Sequence, residues 1–127
     1  MAFSYRPTPA ETATLTAFLI QDFATDRGKA TTRIRLSSNT LRALGNRGTL
    51  RNVFVDDWME ELDALGWMSL RYRDGFALIE AKSIDGWGRV SSKRIRAVLR
   101  RVHAGDKNAL VEITRAVEPP PEEIEDE

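Results

Sequence analysis

Cysteine is absent from the chain, so neither a disulfide framework nor a thiolate metal site is available to it. Histidine is almost as scarce. His103 is the single imidazole, on a basic stretch with no local carboxylate to orient it, and it reads as a surface residue. No apolar run approaches the roughly 20 residues that span a bilayer. Residues 1–9 are polar and lack the apolar core of a secretory leader. A reducing, cytoplasmic setting with no membrane partner is therefore expected. A phosphate loop, a dinucleotide fingerprint and a nucleophile elbow are also missing. The GNRG at 45–48 is a turn without the Lys-Ser/Thr ending of a phosphate cradle. Asp56-Asp57 and Glu60-Glu61 have the i, i+4 spacing that a hard divalent cation can use, but helical acids alone seldom hold one. The expectation is a chain that is no enzyme and uses no metal or cofactor.

The 127 residues suffice for one domain with a real core and are too few for two. With 42% hydrophobic and 30% charged residues, the composition is that of an ordinary globular protein. A net charge of zero conceals an asymmetry. The last ten residues, EPPPEEIEDE, hold six acids and no base; the rest holds 19 bases and 13 acids, a body of +6. Fifteen of the bases are arginine, whose planar fork suits phosphate and carboxylate. An anionic partner is implied. The division expected is a single domain over 1–117 and an acidic, disordered tail over 118–127, which either solubilises the chain or competes for its basic surface.

Thr8, Pro9 and Glu11 mark a helix start with a capping box, and Gly28 its end. Leu15, Phe18, Leu19 and Phe23 recur at helical spacing and predict the buried face. Ala13, Ala17, Ile20 and Ala24 make a milder second one, for a neighbouring element or a subunit contact. TTRIRLS (31–37) alternates, with Arg33 and Arg35 outward. Ser37 or Ser38 caps a helix that buries Leu41 and Leu44. Thr49 is expected to cap the next helix, which runs to Leu65 and stops at Gly66. Two strand-like runs then flank Arg73-Asp74-Gly75. A three-residue loop is favoured because it pairs Tyr72 with Phe76 and Leu70 with Leu78 on one face, leaving Ser69, Arg71 and Arg73 on the other. A two-residue Asp-Gly turn would set Arg73 against Phe76. Ser91 or Ser92 caps a further helix with Ile95, Val98, Leu99 and Val102 inward. Residues 108–117 form a last short helix or a strand. Trp58, Trp67 and Trp87 read as core or hinge residues.

Helix, strand, helix, tight turn, helix and hairpin, in that order, resemble the winged helix-turn-helix superfamily over residues 10–82. The closest match is WMEELDALGWMSLRYRDGFALI (58–79): the end of a recognition helix, then Leu62, Leu65, Gly66 and Trp67, then a two-stranded wing. The resemblance implies a mostly helical α+β fold with a small antiparallel sheet and flanking N- and C-terminal helices. It implies DNA binding, as in a transcriptional regulator or DNA-associated accessory factor. Some members are protein-interaction modules, so fold alone does not decide function.

The helix at 49–65 is where the two functions diverge. Its outer side carries Asp56, Glu60 and Asp63, within a stretch (51–67) that holds five acids. DNA binding requires the helix to enter end-on. Arg47 and Arg51 would take phosphate or guanine, Asn52 adenine, and Thr49 with the helix amino end a phosphate. Asp56 could accept from cytosine. Arg71 and Arg73 at the wing tip would add phosphate contacts. RVSSKRIRAVLRRVH (89–103) has six bases and no acid, and supplies Lys93, Arg94, Arg96, Arg100 and Arg101 for the backbone. The partners expected are double-stranded DNA and a second copy of the chain through the terminal helices. The alternative is an adaptor whose acidic helix face binds a basic protein surface.

Overall fold

The structure is a computed structural model and describes residues 4–121. Where the sequence suggested a single domain over 1–117, contacts divide the chain into two compact units, Met1–Trp87 and Gly88–Glu127. The regular structure is mostly helical, with one small antiparallel sheet. Of the acidic tail, residues 118–121 have no regular structure and 122–127 lie outside the described residues.

The first unit contains α1 (Pro9–Arg27), β1 (Arg33–Ser37), α2 (Ser38–Gly45), α3 (Asn52–Ala64), β2 (Trp67–Tyr72) and β3 (Gly75–Glu80), then a 3₁₀ segment at Ala81–Gly86. The start of α1 follows its sequence signature. The Glu11 amide donates to Thr8 Oγ1 at 3.1 Å, and the Thr8 amide donates to Glu11 Oε1 at 2.9 Å. Those bonds and one from the Tyr5 hydroxyl hold the Glu11 carboxyl below its ordinary pKa, the Thr8 amide contributing most. Gly28 closes the helix at φ 74°, a left-handed conformation that glycine adopts freely.

The buried face of α1 is not the one its large side chains predict. Thr12, Ala13, Thr16 and Ile20 are buried, whereas Leu15, Leu19, Phe23 and, at 65%, Phe18 are exposed. The reason lies on α3. Trp58 is wholly buried, and an indole N–H taken out of water needs an acceptor. Thr16 Oγ1 provides it at 3.1 Å, while its own hydroxyl donates to the Thr12 carbonyl at 2.7 Å. Ala13 has no bulk to hold the helices apart. A Leu/Phe stripe would offer more apolar area but no acceptor.

α2 is capped by Ser37, whose Oγ accepts from the Thr40 amide at 3.1 Å. It ends at Asn46, left-handed at φ 49°. α3 starts later than expected. Its N-cap is Arg51, which makes no side-chain cap bond, so Thr49 is not the cap. Phe54, Val55, Trp58 and Leu62 face the core, and Gly66 follows the helix at φ 92°. The sheet has order β1-β3-β2. Ile34 and Leu36 lie opposite Leu78 and Phe76 on the core side. The Trp58 and Phe76 rings meet edge-on there, 4.9 Å between centroids.

The hairpin register differs by one residue from the expected one. Tyr72 lies opposite Gly75, Arg71 opposite Phe76 and Ser69 opposite Leu78. The loop is the two-residue Arg73-Asp74, with Arg73 at φ 52°. Pairing like with like fails because β2 is an edge strand. Phe76 and Leu78 are sealed by β1 and the helices, so β2 need not supply apolar partners beyond Trp67. Leu70 and Tyr72 instead stand exposed on the far face, and Arg71 reaches α3. The turn is also held from α2, where the Ser38 amide donates to the Asp74 carbonyl at 3.0 Å.

Gly75 begins β3 where β1 crosses closely. A Cβ there would lie 2.3 Å from the Leu36 carbonyl oxygen, a backbone atom that cannot swing away. Gly75→Ala is therefore expected to destabilise the first unit by about 1–3 kcal/mol, as overpacking does. The midpoint of urea unfolding measures this, and an unchanged midpoint would show that the strands yield freely.

The second unit contains a 3₁₀ turn at Ser92–Ile95, α4 (Arg96–His103) and α5 (Lys107–Val117). The helix expected from Ser91 or Ser92 is interrupted at Ile95 (φ −118°, ψ 25°), which is itself exposed rather than inward. Val98, Leu99 and Val102 are half-buried, and Ala109 of α5 is fully buried. Asp106 joins the helices: Arg101 donates to it and to Glu112, each at 3.0 Å. The Arg101 bond is the main cause that holds the Asp106 carboxyl below its usual range.

Candidate nucleic-acid interface

Residues 4–7 are tied to the α2–α3 turn. Left-handed Asn46 donates its side-chain amide to Ser4 Oγ at 2.9 Å and to the Tyr5 carbonyl at 2.8 Å. Arg47 donates to the Pro7 carbonyl at 3.0 Å, with its guanidinium 4.0 Å from the centre of the Phe54 ring. Its Nε–H is buried and has no acceptor among the described residues. Arg47, expected to contact DNA, thus also anchors the amino-terminal arm. Thr49, Arg51 and Asn52 are exposed at the start of α3, as end-on entry would need. Arg6 joins them, and Arg6, Arg47, Thr49 and Arg51 line one cavity of about 230 Å³ with Gly48 and Phe54. Sequence reasoning missed Arg6. A single base in a short arm has no periodicity, and only the Asn46 and Arg47 bonds bring it there.

Further along α3 the chemistry reverses. An open groove between α3 and β2 is lined by Asp56, Met59, Glu60, Asp63, Met68, Ser69 and Arg71. Its one arginine is already paired, Arg71 to Asp56 Oδ1 at 2.6 Å. With side chains 50% and 63% exposed, this pair contributes at most about 1 kcal/mol to stability. Its larger effect is on the surface, where it lowers the positive charge on the helix side of the hairpin. Arg71 and Arg73, expected together at the hairpin tip, are separated by the register. Arg73 occupies the turn and donates Nε–H to the Tyr72 hydroxyl at 3.1 Å, which lowers the phenol's pKa. Arg35 lies 5.5 Å from the same ring and Arg73 5.4 Å, so two cations flank Tyr72 on the outer sheet face.

In the second unit Lys93, Arg94, Arg96 and Arg100 are exposed, while Arg101 is held by Asp106 and Glu112. The units divide the charge unevenly. Residues 1–87 hold eleven bases and eleven acids, whereas residues 88–117 hold eight bases and two acids. The whole +6 excess outside the tail therefore belongs to 88–117. Among the described residues, no three His, Asp or Glu side chains gather as a metal site requires, and no helix is long and apolar enough to cross a membrane. Comparison with protein-family models, curated proteins and solved structures gives no match for the chain.

Proposed function

We propose that the chain is a winged-helix protein that binds duplex DNA chiefly through its phosphates, as a transcriptional regulator or DNA-associated accessory factor. The observation that carries this reading is the charge distribution. The whole net positive charge outside the tail falls within 88–117, where four of the five predicted backbone-binding side chains are exposed and unpaired among the described residues. The order α1-β1-α2-α3-β2-β3 with sheet order β1-β3-β2 supports the winged-helix reading. α3 would approach end-on through Arg51 and Asn52, because laying its length in the major groove would set Asp56, Glu60 and Asp63 against phosphates. Homodimer formation belongs to the same reading, since the apolar side chains exposed on α1 are a surface that a second copy would cover.

A second reading has its own support. The α3–β2 groove combines three carboxylates with Met59 and Met68, a surface suited to a basic protein segment. Fluorescence anisotropy with a random-sequence duplex at several salt concentrations separates the two. The DNA-binding reading expects affinity at low salt that falls steeply as salt rises. Absence of binding at the lowest salt would discard it in favour of the adaptor.

A further inference from the structure

We propose that the cavity lined by Arg6, Arg47, Gly48, Thr49, Arg51 and Phe54 is a site for one phosphoryl group; taking that group from a DNA backbone rests on the reading above. Three arginines line this cavity from separate stretches: the amino-terminal arm, the α2–α3 turn and the N-cap of α3. No carboxylate is among the lining residues, and none of the three arginines forms an ion pair among the described residues. Arg71 and Arg101, by contrast, are each neutralised by an acid. Gathering like charges without a counter-charge is unfavourable unless an anion joins them.

The donors are arranged for such an anion. Arg47 is fixed in advance by the Pro7 carbonyl and the Phe54 ring. Arg6 and Arg51 are exposed, and their side chains can close on a ligand. Arg51 caps α3 without a side-chain bond, so the amides at the start of this 13-residue helix keep no side-chain acceptor. Helix amides and arginine forks together match a tetrahedral oxyanion, which accepts several charge-assisted hydrogen bonds at once. The Thr49 hydroxyl adds a neutral donor. A phosphodiester of a duplex and the phosphate of a small molecule present this same chemistry.

Inorganic phosphate is the direct probe. The full chain is titrated with it, and with chloride at matched ionic strength, while backbone amide resonances are followed by NMR. Saturable shifts centred on residues 48–54 with phosphate, and not with chloride, are expected. The double variant Arg6→Gln/Arg51→Gln should weaken phosphate binding about tenfold or more and leave the remaining resonances in place. Arg47 is left intact because it anchors the arm. Equal shifts with both anions, or unaltered phosphate binding by the variant, would overturn the site. Duplex binding by the same variant identifies the source. A loss in parallel with phosphate assigns the site to the DNA backbone. Phosphate binding by a chain that ignores duplex assigns it to a phosphorylated small molecule and removes the DNA reading. Duplex binding with an unchanged salt slope in the variant takes the cavity out of the DNA interface and leaves that reading intact.

Discussion

Trp58→Ala is expected to destabilise the first unit by about 3–5 kcal/mol, the range for truncating a large buried aromatic. Trp58 is fully buried among α1, α3 and the sheet, edge-on to Phe76 and hydrogen-bonded to Thr16. A domain of this size has roughly 5–15 kcal/mol in hand, so the variant loses a large share of its stability and should unfold at a much lower urea concentration than the parent chain. Trp58→Phe keeps most of the ring, removes the N–H and should cost less. Urea unfolding followed by circular dichroism reads both, by linear extrapolation. A loss under about 1 kcal/mol for the alanine variant would mean that Trp58 does not organise the core.

Neutralising Lys93, Arg94, Arg96 and Arg100 together, each to glutamine, should have the largest effect on duplex binding. Each phosphate contact contributes about 0.9 to the slope of log affinity against log salt. Four contacts then account for about a hundredfold of the affinity lost between 50 and 200 mM salt, and the variant should no longer lose that portion. These side chains are exposed and lack ion-pair partners among the described residues, so folding should be little affected. Arg101 is kept because it holds α4 to α5 through Asp106 and Glu112. A slope equal to that of the parent chain would take the second unit out of the interface.

Features set by neighbouring residues were legible in the sequence. The Thr8–Glu11 box, Gly28 and Gly66 act within one helical turn, so a single window reveals them. The order of elements was legible too, because periodicity marks helices and strands separately. The face of α1 was not, since it depends on the indole of a residue 42 positions away. The strand register was not legible to within one residue, because Leu70 and Tyr72 on the edge strand β2 stand exposed where apolar pairing would cover them. Loss of the register also misplaced Arg71, which then meets Asp56. Among the candidate residues, Arg51 and Asn52 in the first unit and the basic run at 93–101 in the second could be named from sequence, whereas Arg6 depended on bonds to Asn46 and Arg47.

The link between Ser38 and Asp74 has a mechanical consequence. Both the amide and the hydroxyl of Ser38 hold the carbonyl at the tip of the hairpin. The tip is thereby coupled to the first turn of α2 and cannot flap like a free arm. A displacement of the tip at Arg73 would therefore be felt first at the amino end of that helix.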